Sequence, residues 1–275
     1  MTEGLLREKI VHGALNRGLR DSRMFKVTSF AVLAIGLFAT PCAALAESAY
    51  RPVQTVTFAG GALQILEDRR LTPSLARKLW ETAVDPVIVL GEDNPAAQPF
   101  KKEPLRPARL RQVSKTGVLV VDVVLDKQSP IARIERRRLG RASDPVYLIT
   151  TDNSAGFGSY SGQVTALYTL SGDRLVPVQA IGPKGRAEKI GLADTLKSGW
   201  KVIDNNPSHT VIEQVLCRPD LSERHPDQDQ PFQVIYITYQ FDGTSWRMAE
   251  RITSGFWESD DAWPRGSDFP KPGSE

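Results

Sequence analysis

The residues with the most chemistry available to them lie in a loop, residues 151–162, of sequence TDNSAGFGSYSG. Asp152, Asn153, Ser154, Ser159 and Tyr160 supply polar side-chain groups there, and the glycines between them would let a ligand approach the backbone closely. That chemistry is recognition by hydrogen bonds, although Asp152, Asn153 and Ser154 are equally suited to closing the turn on itself. A second group, Trp257 and Trp263 in GFWESDDAWPRG, offers two aromatic surfaces among acids. Such surfaces suit a glycan or a peptide, or the packing of the C-terminal end onto the body. These seven residues form the candidate binding set, and the partners they would suit are an envelope protein or a glycan.

Catalytic chemistry has a thinner basis. Asp122 is the only charge inside the apolar run 118–125, and a carboxylate in such a strand either sits on a solvated face or is held with a raised pKa. It anchors a reading as an envelope hydrolase. His209 and His225 stand in NPSHT and ERHPDQD, and the chain contains no His-x-x-x-His or Cys-x-x-Cys spacing, so no metal set is expected. Asp227 and Asp229 beside His225 lack the glycine and final glutamate of an EF-hand loop.

Three resemblances to known motifs fail on spacing or context. In GFGSYSG the third glycine comes one position late for a dinucleotide fingerprint, and a strand follows where a helix should open. Neither Ser159 nor Ser161 has the flanking glycines of a nucleophile elbow. Ser198-Gly199-Trp200-Lys201, Thr151-Asp152-Asn153 and Lys115-Thr116-Gly117 imitate the elements of penicillin-recognising serine enzymes, but in reversed order and without a helix at the serine. No cofactor is expected.

Where these residues work depends on the start of the chain. Residues 24–48 read MFKVTSFAVLAIGLFATPCAALAES: a lysine, an apolar run over 30–38, the helix-breaking Pro41, then Ala44-Leu45-Ala46. That is the pattern of a secretory signal peptide cut after Ala46, removed together with an N-terminal extension, residues 1–23. Proline directly before Cys42 does not fit lipid attachment. The expected product, residues 47–275, is periplasmic or secreted and keeps no membrane span. Residues 1–46 hold six basic and three acidic side chains, which accounts for the whole net charge of +3. The remainder is neutral, so no overall field would steer it onto nucleic acid.

The elements that must position the candidate residues read mainly as strands. After the leader only Cys217 remains, so no internal disulfide can form and packing must hold the fold. Residues 118–125 read as a central strand covered on both faces. Residues 146–151 and 210–217 are further strands, and 131–139, which Ser129-Pro130 and Gly140 could also frame as a short helix, reads as a strand between strands. Val164, Ala166, Tyr168 and Leu170 alternate with Thr165 and Thr169, the pattern of a half-buried strand. Ser171-Gly172-Asp173 and Asp242-Gly243-Thr244-Ser245 read as hairpin turns. One helix is marked by Thr72 as N-cap and Pro73 at its first position, with Leu75, Leu79 and Trp80 on its core side.

The expected organisation is an N-terminal α/β segment over 47–100, a β-rich body over 101–263, and a loose C-terminal tail over 264–275. Residues 91–107 read as a loop between the first two. The fold class is mainly β: an antiparallel β-sandwich or partly open barrel with one short N-terminal helix. The functional reading is a non-catalytic binding or accessory protein of the cell envelope. The alternatives are the hydrolase and a structural subunit of a periplasmic complex, which would show a contiguous exposed apolar patch.

Overall fold

A computed structural model describes residues 49–82, 86–140, 145–152, 158–206, 208–221 and 231–273. Residues 1–48, where a leader and its extension are expected, and Asn153, Ser154, His225, Asp227 and Asp229 lie outside the described residues.

Four strands, β1 (Tyr50–Phe58), β2 (Gly61–Asp68), β3 (Arg109–Ser114) and β4 (Leu119–Val124), form an antiparallel sheet in that order. The other eleven build a second sheet: β5 (Ala132–Arg138), β6 (Pro145–Asp152), β7 (Gly162–Ser171), β8 (Arg174–Pro177), β9 (Gln179–Ile181), β10 (Ala187–Lys189), β11 (Gly191–Thr195), β12 (Ser198–Asn206), β13 (His209–Pro219), β14 (Phe232–Phe241) and β15 (Trp246–Ser254). Its order is β10-β9-β15-β14-β13-β12-β11-β7-β6-β5, with β8 beside β7, and every pairing is antiparallel except β15 with β9. Because β10 and β5 do not pair with each other, the sheet does not close. The protein is mainly β and sandwich-like, not a closed barrel.

Period-two alternation decides which core each side chain enters. On β6, Tyr147 and Ile149 pack with Leu63, Ile65 and Leu110 of the small sheet. Val146 and Leu148 point the other way, into the core formed with Leu167, Leu192, Ile212 and Ile235. Burying each such Leu, Ile or Val side chain contributes roughly 1.5–3 kcal/mol. On β13 and β14 the same alternation sends Ile212, Ile235 and Ile237 inward, and Val215, Cys217 and Val234 outward against Trp257.

Two strand readings change. The run 118–125 holds an outer strand instead of a central one: Val118 and Leu119 are 62% and 54% exposed. An apolar run reports side chains able to be buried and not the strand's place in the order. β7 is covered on both faces, since Leu167 enters one core while Tyr168 and Leu170 pack on the other, and the buried Thr165 and Thr150 hydroxyls bond at 2.8 Å. Both expected hairpins form, with Ser171 opposite Arg174 and Phe241 opposite Trp246.

The expected helix is α1 (Pro73–Thr82), where the Thr72 hydroxyl oxygen accepts from the Leu75 N–H at 3.2 Å and Leu75 and Leu79 are buried against Leu71 and Ile131. Two five-residue helices follow, α2 (Pro86–Leu90) just before the stretch 91–107 that reads as loop, and α3 (Gln98–Lys102) within it. Proline at the first turn of a helix sacrifices no hydrogen bond, which is why both can form. The small sheet draws two strands from residues 47–100 and two from residues 101–263. Asp68, fully buried at the end of β2, ties those two stretches together by accepting from Arg70 Nη2 at 2.7 Å and from the Arg106 N–H at 3.0 Å. In the C-terminal stretch Phe269 is buried, stacked on Trp263 at 5.9 Å and edge-on to Tyr236.

Candidate functional site

The outer strand β5 meets β1 and β2 through side chains rather than through a ladder. The Gln54 amide donates to the Ile134 carbonyl at 2.5 Å and accepts from the Ile134 N–H at 2.8 Å, so one side chain completes the edge of β5 as a strand would. Glu67 sits opposite Arg51 across β1–β2 and accepts from the Ala132 N–H. Beyond this junction lies α1, which contributes Ala76, Arg77, Trp80 and Glu81. The strands and helix together enclose an open cleft of about 740 Å³.

Three arginines line it: Arg51 from β1, Arg77 from α1 and Arg133 from β5. The Arg133 guanidinium lies over the Trp80 ring at 5.2 Å and donates to Gln163 Oε1 at 3.0 Å, which fixes its orientation while leaving it exposed. Arg51 donates from Nη2 to the Leu71 carbonyl at 2.5 Å. Its Nε is buried with no hydrogen-bond partner among the described residues. Two carboxyls share the lining, Glu67 and Glu81.

Glu67 is 3% exposed, and burial pushes its pKa from the ordinary 4.5 up to about 7, against the opposing pull of the Ala132 N–H and the Arg51 charge. At neutral pH it is therefore divided between a neutral donor and an anion. Such a group beside a cleft is the chemistry of a selective hydrogen bond or of a general acid.

Asp152, the one candidate of the polar loop's described N-terminal flank, adjoins the cleft. Asp152 on β6 and Asp194 on β11 are the cross-strand partners of Gln163, so the three side chains project from one face of adjacent strands. Asp152 is 4% exposed, and its N–H donates to the Ser129 hydroxyl, which in turn donates to the Ile131 carbonyl at 2.6 Å. The start of β5 and the end of β6 are thus pinned to each other beside the cleft.

Four other candidates gather elsewhere, around the turn between β11 and β12. The Ser159 carbonyl accepts from the Lys197 N–H at 3.1 Å, and Tyr160, 52% exposed, has Cys217 and Lys197 as its electrostatic neighbours. Lys197 is itself buried, its Nζ 2.5 Å from Glu258 Oε1 and 3.4 Å from the centre of the Phe256 ring. Trp257 and Trp263 meet edge to face at 6.0 Å over Gly199, where an added Cβ would lie 3.2 Å and 3.3 Å from the two indoles. Trp257 is 6% exposed and gives its N–H to the Ala262 carbonyl, and Trp263 gives its N–H to Glu213. These indoles hold the C-terminal segment on the sheet.

Sequence reasoning missed Arg51, Glu67, Arg77, Arg133 and Gln163, and it assigned Trp80 to the core. The available signal was Glu67 directly after the apolar Ile65-Leu66, an acid where the strand is buried on both faces. Asp122 accepts from Arg109 Nε at 2.7 Å and Arg111 Nη2 at 3.2 Å, a structural arrangement of one acid between two cations. Among the described residues no group of three His, Cys, Asp or Glu side chains could hold a metal ion, and no helix is long and apolar enough to cross a membrane.

No protein-family model matches the chain, and comparison with curated proteins and with solved structures gives no significant match.

Proposed function

We propose that this is an exported, non-catalytic binding protein whose cleft beside α1 takes an acidic glycan. The observation that carries the reading is the trio Arg51, Arg77 and Arg133 around one open volume, with Arg133 braced by Trp80 and Gln163. A braced guanidinium presents its remaining N–H donors at fixed angles, which suits a carboxylate and a row of hydroxyls. Gln54 and Gln163 supply neutral donors and acceptors of the kind sugar hydroxyls need, and Pro52, Val53 and Pro73 give apolar surface for ring faces. The export assignment rests on the leader pattern in residues 24–46.

Isothermal titration with a uronic-acid trisaccharide and with a neutral trisaccharide of the same linkage tests this. The acidic sugar is expected to bind, and Arg133→Ala to weaken it about tenfold, the value of one charge-assisted contact. Equal heats for both sugars, or binding untouched by Arg133→Ala, would reject the cleft as an acid-selective site.

One observation favours a second reading. Glu67, buried with a pKa near 7 at the cleft wall, has the properties of a general acid, and Glu81 is a second carboxyl on the lining. A hydrolase predicts release of reducing ends from an acidic polysaccharide that Glu67→Gln abolishes while binding persists. The binding protein predicts none.

A further inference from the structure

β4 has the composition of an interior strand and the position of an outer one. Val118, Leu119, Val120, Val123 and Val124 are 43–62% exposed, and among the described residues no strand pairs beyond it. The other outer strands carry devices that stop edges from pairing. β1 has Pro52 and a register break between Pro52 and Gln54. β5 has Arg136, Arg137 and Arg138, and Gln54 occupies its free edge at Ile134. β10 is three residues long, two of them charged.

β4 has neither proline nor lysine. Its single charge, Asp122, is already matched by Arg109 and Arg111, so it does not repel an incoming strand. The one irregularity, opposite Gln112 and Val113, lies toward its N-terminal end, and Val121–Val124 stay in regular register with β3.

We infer that β4 pairs with β4 of a second copy of this chain, antiparallel about a two-fold axis, making one eight-stranded sheet from two small ones. An antiparallel strand meeting its own copy is self-complementary by symmetry, and the pairing closes after two copies. The exposed apolar side chains stand on both faces of the strand, Val123 on one and Val124 on the other, so an added strand finds an apolar cross-strand neighbour on each face. A pairing between one six-residue strand of each copy falls at the low end of specific interface sizes, so it is weak. A pairing of that size is concentration-dependent, and the expected species is a reversible dimer.

Sedimentation of the purified protein over about 1 to 100 μM, with hydrogen exchange at each concentration, tests the inference. The expected result is a mass that rises to twice the monomer as the amides of Val121–Val124 become protected. Val123→Lys should shift the midpoint at least tenfold upward with unchanged circular dichroism. Should that variant fail to fold, the concentration dependence of wild-type exchange decides alone. A monomer throughout with fast-exchanging β4 amides overturns the proposal. So does growth beyond a dimer, or β4 protection that appears only on adding phosphatidylglycerol vesicles.

Discussion

Replacing Glu67 with glutamine isolates the electrostatic cost of the cleft wall. In the folded chain the carboxyl titrates at about 7 because burial disfavours its anion, and unfolded it returns to 4.5. Between those values the native state holds a proton that the unfolded state has released, so stability falls as pH rises through the window. The full difference corresponds to about 3 kcal/mol, reached above pH 7 and absent below pH 4.5, at 1.36 kcal/mol for each unit. Glutamine keeps the acceptor for the Ala132 N–H and cannot ionise. Urea unfolding of both proteins from about pH 4.5 to 8.5 gives the comparison, because other titrations cancel in the difference. Glu67→Gln should gain stability relative to wild type by about 3 kcal/mol across the range. A difference that stays flat with pH would refute the buried, proton-holding carboxyl.

Asp68 should behave in the opposite sense. Burial works to raise its carboxyl, but hydrogen bonds from Arg70 and from the N–H groups of Arg106 and Arg70 outweigh it and hold the pKa at about 2. Its contribution is complete above 3.8 and lost as pH falls through 2, so Asp68→Asn should remove about 2 kcal/mol at neutral pH and flatten the acid limb of the unfolding curve. Gly199→Val would press on Trp257 and Trp263 and is expected to destabilise by about 2 kcal/mol, read as a lowered midpoint together with red-shifted tryptophan emission as the C-terminal segment lifts. A blue-shifted emission with unchanged midpoint would contradict the packing at that glycine.

The parts of the fold legible in the sequence were those with local causes. Thr72 and Pro73 mark the start of α1 because capping and the fixed proline φ act within one turn. Gly172-Asp173 and residues 242–245 mark hairpins because turn chemistry is equally local. Strand order is set by distant partners, so the apolar run of β4 could not announce that it lies outermost. Nor could the alternation in β7 reveal that both its faces are covered.

The site follows the same division. Asp152 was visible as a polar loop residue, and the structure places it beside Gln163. Arg51, Glu67, Trp80 and Arg133 come from four elements separated by up to 82 positions, and only the meeting of β1, β2, α1 and β5 makes them neighbours. Trp80 read as core because Leu75 and Leu79 share its side of the helix, and one helix face can serve both a core and a cleft rim.

Hydrogen exchange with and without a uronic-acid trisaccharide tests the binding cleft most directly, because it reports where the ligand sits and not merely that it binds. The account predicts slowed exchange at the amides of Arg51–Gln54, in the second half of α1 and around Arg133, with the turn at Lys197 unchanged. Protection confined to the Lys197 turn and the C-terminal tryptophans, or spread evenly over the protein, would contradict it.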